Sequence, residues 1–312
     1  MALIVRVLVA AGLTLIVLWW SNVGAVAAAT RAADWRWLAV ACALVVADRA
    51  LMAWRWLRLI VPVADPVPRL GAVLRVFFLS SFVGTFLPAS IGGDAVRAYG
   101  LSREAVAGGA AVASVAMDRA LGVVSVLLVG LGAVLAVTAQ VPVPAGVYVV
   151  LLAGGIASLA LAAAIFLDPV ADVVAGVAAR LPVAALARVA GKVFDAVRAY
   201  RHHHGALAVV LAASIAVQML RVVQAWALGQ ALGIDVSFAV YAVAIPICVL
   251  VMQVPVTVNG LGTGQAAFLW TFGPAGVAPP DAVALSLLFI GLGVVGNLPG
   301  GLLWAFGRRS AA

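Results

Sequence analysis

Apolar runs about as long as a bilayer crossing, ~20 residues, follow one another along nearly the whole chain, and two of them are interrupted mid-run by glycine and proline. A chain patterned this way folds with apolar surface turned outward, toward lipid. Its 312 residues are 66% hydrophobic and 10% charged, against about 25% charged in soluble domains, which excludes a water-soluble globule. Six full crossings fit: 7–20, 37–57, 105–137, 147–167, 206–228 and 281–306. The run 7–20 follows Arg6 and leads into small residues at 24–29 that resemble a signal-peptidase site; Trp19 and Trp20 suit an interfacial belt, so we read it as an uncleaved span.

The interrupted runs are different. Stretch 70–97 is broken by Pro88 and by Gly92-Gly93-Asp94, with Arg97 one turn later. Stretch 238–272 is broken by Pro255-Val256-Thr257-Val258-Asn259-Gly260-Leu261-Gly262. Neither reads as a plain spanning helix. An unpaired N–H or C=O in lipid costs several kcal/mol, so such backbone persists only inside protein or along a wet cavity. Glycine lets backbone approach a ligand and leaves N–H groups free, while Pro88 removes a donor and fixes a bend; close helix packing is the alternative use of the glycines. Residues 111–124 and 282–295 align without gaps at seven of fourteen positions, each set following a broken segment. The fold expected is an all-α polytopic membrane protein with about six transmembrane helices and two re-entrant broken-helix hairpins in an inverted repeat. Residues 1–167 form an N-terminal membrane half, 168–204 an amphipathic cytoplasmic linker, and 205–312 a C-terminal membrane half.

Charge supplies the orientation. The chain has 19 Lys+Arg against 11 Asp+Glu, a net +8. With six crossings, fourteen cations, Arg55 and Arg97 among them, fall on the side shared by both termini; Arg31 and Arg36 fall on the other, and Arg49, Arg119 and Arg221 lie within spans. The positive-inside rule then puts both termini in the cytoplasm.

Ionisable residues inside the spans cost ~2.5–3.5 kcal/mol each on insertion scales, so they mark a groove or one another. Asp94 and Arg97, three apart, share a helix face just past the first break. Arginine presents a planar fork to phosphate or carboxylate. Asp118 and Arg119 project ~100° apart, so each needs a partner from another helix, with Asp48, Arg49 and Arg221 as candidates. Three Arg against two Asp tilt the interior toward an anionic cargo. Cys42 and Cys248 sit in apolar stretches and read as packing residues, and His202-His203-His204 lies in a basic surface segment. No phosphate-binding G-x-x-x-x-G-K loop, H-E-x-x-H or G-x-S-x-G motif occurs. Enzyme readings lose ground, and no cofactor, metal or nucleic acid is called for.

Three motifs, Phe86-Leu-Pro-Ala-Ser-Ile-Gly-Gly-Asp-Ala-Val-Arg-Ala98, Ser114-Val-Ala-Met-Asp-Arg-Ala-Leu-Gly122 and Pro255-Val-Thr-Val-Asn-Gly-Leu-Gly262, resemble the transmembrane domain of lysylphosphatidylglycerol synthase/flippase proteins. The resemblance covers nearly the whole chain and includes stand-alone flippase-like members. It implies signature positions at Pro88, Gly92, Gly93, Asp94, Arg97, Asp118, Arg119, Asn259, Gly260 and Gly262. Bifunctional members carry a soluble domain that makes the aminoacyl-lipid, which these residues do not include, so translocation is the activity expected. Where many members carry an acidic residue after the second Gly-rich turn, this chain has Gly264-Gln265, which argues against a proton-coupled step there. The function expected is a flippase of the bacterial inner membrane moving an anionic phospholipid, polyprenyl-phosphate or glycolipid head, with Arg49, Arg97, Arg119 and Arg221 neutralising it. A secondary transporter of a small soluble anion and a membrane enzyme, or its subunit, acting on a prenyl-phosphate or glycolipid are the alternatives, and a homodimer is left open. Reporter fusions after residue 312 and within 168–204 are expected to read cytoplasmic, and one at 31–36 external; the opposite pattern would overturn the orientation.

Overall fold

The computed structural model describes residues 23–86, 91–104, 106–137, 145–167, 197–254 and 260–307, together with positions 169, 176 and 257. The expected span 7–20, the first break at Pro88, Asn259 in the second and most of the linker 168–204 lie outside the described residues. Among the described residues every regular element is helical. The helices are α1 (Val23–Arg31), α2 (Trp35–Ile60), α3 (Leu70–Phe86), α4 (Ile91–Ser102), α5 (Gly108–Val137), α6 (Ala145–Phe166), α7 (His204–Ala231), α8 (Phe238–Gln253), α9 (Thr263–Phe272) and α10 (Pro279–Gly307). Four of them, α2, α5, α7 and α10, are long and apolar enough to cross a membrane, and α3, α8 and the stretch Gly146–Ala160 of α6 are shorter apolar segments.

The outer surface has the polarity of a lipid-facing one. Leu128, Leu131 and Leu135 on α5, and Leu152, Ile156 and Leu159 on α6, recur at helical spacing and are exposed. Cys42 is exposed too, on α2, which corrects its reading as a packing residue; Cys248 is buried, its sulfur 3.4 Å from the Thr271 hydroxyl.

The central strut is the pair α2 and α7. Asp34 caps α2 by accepting from the Arg36 N–H at 2.8 Å, and its own N–H donates to the Ala231 carbonyl at the end of α7. At the other end the Tyr200 hydroxyl, just before α7, donates to the Leu59 carbonyl at 2.6 Å. These two contacts make the helices antiparallel over their full length.

Each broken run is a helical hairpin. In the first, α3 and α4 fold back so that Val76 meets Gly100 near the base and Gly84 meets Gly93 near the tip, where a Cβ on Gly93 would come within 3.0 Å of the Gly84 Cα. In the second, Tyr241 of α8 and Phe272 of α9 pack ring to ring at 5.2 Å near the base, and Met252 lies over Gly260 and Gly264 near the tip. The first base clusters with Trp56 and Ile60 at the C-terminal end of α2. The second clusters with Ala41 and the end of α7. The hairpins therefore enter the bundle from opposite ends of the strut.

Helix α10 closes the bundle by packing on α3. Gly300 and Gly301 lie against Phe78 and Phe82 so closely that a Cβ on Gly300 would collide with the Phe78 carbonyl. Gly300→Ala is expected to destabilise the protein by about 1–3 kcal/mol through overpacking. Gly155→Ala on α6, where an added Cβ meets nothing within 4 Å, is expected to be neutral; thermal unfolding in detergent micelles compares them.

Candidate functional site

Asp48, Met52 and Arg55 recur at spacings of four and three along α2, so they lie on one face. That face meets Ser80 and Arg97 of the first hairpin, Asp118 of α5, and Gln218 and Arg221 of α7 around a cavity of about 300 Å³. Both hairpin tips reach it, through Gly84, Thr85 and Gly93 on one side and Met252, Gln253 and Thr257 on the other. Five arginines and three aspartates line it: Arg49, Arg55, Arg97, Arg119 and Arg221 with Asp48, Asp94 and Asp118.

These charges sort into three groups. The tightest is centred on Asp118, whose Oδ1 lies 2.7 Å from Arg55 Nη2 and whose Oδ2 lies 3.2 Å from Arg97 Nη1, all three side chains being buried. Arg55 also donates to the Ser214 hydroxyl at 2.9 Å, and Arg97 donates to Ser80 at 3.4 Å. The Arg97 guanidinium sits over the rings of Trp56 and Phe77, 5.2 and 4.8 Å from their centroids, an arrangement in which the ring faces attract the cation.

Asp94 and Arg119 form the second group, a bidentate pair with Nε donating to Oδ2 and Nη2 to Oδ1, both at 2.8 Å. In the third, Asp48 lies between Arg49 at 3.6 Å and Arg221 at 3.5 Å. The remaining contacts there are weak. Both guanidiniums donate to the Met52 thioether, at 3.3 and 3.5 Å; Arg49 also reaches the Gly293 carbonyl at 3.3 Å, and Arg221 the Gln218 amide oxygen at 3.4 Å.

Several sequence expectations change here. Asp94 and Arg97 share a turn of α4 but do not pair; each crosses to α5, the first to Arg119 and the second to Asp118. Asp118 takes Arg55 and Arg97 rather than Arg49 or Arg221. Arg55, expected in the cytoplasm at a helix exit, is 4% exposed in the cavity wall, and Arg97 is 5% exposed; moving both inward reduces the cations expected on the side of the termini from fourteen to twelve. The signal for Arg55 was its place two turns beyond Asp48. Arg58, one turn further on, is the one that lies outside, stacked on Trp54 at 5.1 Å.

The glycines are spoken for as well. Gly93 lines the cavity, yet its missing Cβ accommodates Gly84, and Gly92 is half-buried at the start of α4. Gly260 and Gly262 have φ of 74° and 86°, which only glycine adopts without strain. The Gly262 N–H donates to the Gln265 side chain, so it caps α9 instead of facing a ligand. Among the described residues the wall also offers side chains that the sequence reading passed over: Ser80, Gln224, and Asn297, which donates to Thr85 at 2.9 Å.

The two aligned segments border one cavity. Asp118, Arg119 and Gly122 align with Phe289, Ile290 and Gly293, and all six line the same cavity. At these aligned positions the first segment supplies an ion-pairing Asp and Arg and the second two apolar side chains, Phe289 and Ile290.

A family model described as the lysylphosphatidylglycerol synthase TM region matches residues 3–300. No curated protein and no solved structure matches the chain.

Asp118→Asn leaves two buried guanidiniums without a carboxylate, and removing one partner of a buried pair costs ~3–5 kcal/mol. Asp94→Asn is expected to cost less, because the Arg119 side chain is 41% exposed and reaches water. Unfolding midpoints of the two variants in the same detergent test the order.

Proposed function

The chain belongs to the lysylphosphatidylglycerol synthase TM-region family, and on that premise we propose that this membrane protein is a lipid flippase that passes an anionic head group through the arginine-lined cavity while the tails stay in lipid. The observation that carries the reading is the polar cavity itself, set among helices whose outer faces are apolar and reached by both hairpin tips. An unpaired ion in hydrocarbon costs tens of kcal/mol by Born estimates; a chamber with five guanidiniums removes that barrier for an anion. Six crossings, hairpins that re-enter from opposite faces, cytoplasmic termini and residence in a bacterial inner membrane complete the proposal. Its support is the family, the opposite ends from which the hairpins start, and the cation bias. Broken helices meeting near the midplane are the arrangement on which alternating-access carriers are built.

Reconstituted vesicles test this directly. Fluorescent anionic phospholipid in the inner leaflet is expected to become accessible to an external quencher in protein-containing vesicles and to stay protected in empty ones. Gly122→Leu projects a side chain from a cavity-lining position where an added Cβ meets nothing within 4 Å, so it is expected to fold normally and block exchange. Failure of the wild type to move any anionic lipid would sink the proposal.

A further inference from the structure

The three charge groups in the cavity are not equally finished, and the difference identifies which of them takes the ligand. Around Asp118 the short 2.7 Å contact, two serine hydroxyls and two aromatic rings take up most of the donors and charge of Arg55 and Arg97, leaving the Arg55 Nε without a partner but both guanidiniums close to a carboxylate. Arg119 and Asp94 neutralise each other through two 2.8 Å bonds. Arg49 and Arg221 are the exception. They share one carboxylate at 3.6 and 3.5 Å, both turn a donor on a thioether, a weak acceptor, and the buried Arg49 Nε has no hydrogen-bond partner. Their side chains keep 15% and 22% exposure, toward the cavity.

The cavity's charge sets the ligand's. Five arginines against three aspartates leave a formal +2 among the described lining residues. A phosphodiester head would leave one positive charge uncompensated and a zwitterionic head two. A phosphate monoester carries about −1.5 to −2 at neutral pH and presents three acceptor oxygens, enough for two guanidinium forks at once.

We propose that Arg49 and Arg221 are the anion-binding fork, that Asp48 is the counter-ion holding them in place, and that the group they take is a dianionic terminal phosphate rather than a phosphodiester. This rests on the flippase reading for its lipid source, but the shared chemistry, a phosphate dianion, is common to a lipid monoester and to inorganic phosphate. The Asp118 group is framework, fixing the wall against which the fork works.

Titration calorimetry on the purified full chain in detergent at pH 8, where a phosphate monoester is fully ionised, tests it with three probes: dodecyl phosphate, a short-chain phosphatidylglycerol and inorganic phosphate. Dodecyl phosphate is expected to bind at least roughly tenfold more tightly than phosphatidylglycerol, and Arg49→Gln or Arg221→Gln to erase most of that ratio. Equal binding of the two lipids by the wild type overturns the proposal without recourse to any variant, as does a preference that survives both substitutions in folded protein. Inorganic phosphate binding as tightly as dodecyl phosphate upholds the dianion fork and removes the lipid reading. Lost vesicle transport with the binding preference intact likewise overturns only the flippase.

Discussion

The buried carboxylate of Asp118 is the interaction on which the interior depends. It is shared by Arg55 from α2 and Arg97 from α4, while standing on α5, so one side chain ties three helices at a point where water is scarce. In a low-dielectric interior an ion pair is strong but its desolvation cost is comparable, and the arrangement is favourable only when the leftover donors are satisfied. Ser80, Ser214 and the rings of Trp56 and Phe77 meet most of that requirement. With the wall fixed in this way, the less constrained Arg49–Asp48–Arg221 group can face the open volume without collapsing onto its neighbours.

The hairpins do for the backbone what Asp118 does for the charges. Polar backbone at membrane depth is tolerated only inside protein or along a wet cavity, and the described residues nearest both hairpin tips, Gly84, Gly93 and Thr257, border one polar cavity. The close glycine contacts between α3 and α4, and between α3 and α10, hold the first tip against the bundle. In the second hairpin the turn is held by positive-φ glycines and by Gln265. Gln265 stands where a carboxylate was expected from the resemblance, and its amide oxygen performs a capping task that needs no charge.

Much of this was legible in the sequence because membrane folding leaves coarse marks. Hydropathy located the long helices, and Gly260 with Gly262 marked the second break, whereas Gly92, Gly93 and Asp94, expected in the first break, lie within the start of α4. Aspartate and arginine inside apolar runs marked the cavity, since such residues persist only when partnered. Pairing was not legible. The i, i+3 spacing put Asp94 and Arg97 on one helix face, but did not show that α4 presents both to α5, where each finds a tertiary partner. Arg55 was assigned to the water because it neighbours Trp54, Trp56 and Arg58; only the rotation of α2, set by its contact with α7, distinguishes it from Arg58. The likeness of 111–124 and 282–295 was visible as matched letters, whereas the placing of Asp118 and Arg119 with Phe289 and Ile290 in the lining of one chamber required the third dimension.

The sharing of Asp118 also bears on how the chain is born. Ribosomes deliver α2 first, and its Arg55 must wait about sixty residues for Asp118, a delay of roughly 3–12 s at ordinary elongation rates of about 5–20 residues per second; Ser214 follows far later still. During that interval Arg55 lacks the carboxylate it meets in the folded chain, so this tie between α2 and α5 forms only once both helices have been made.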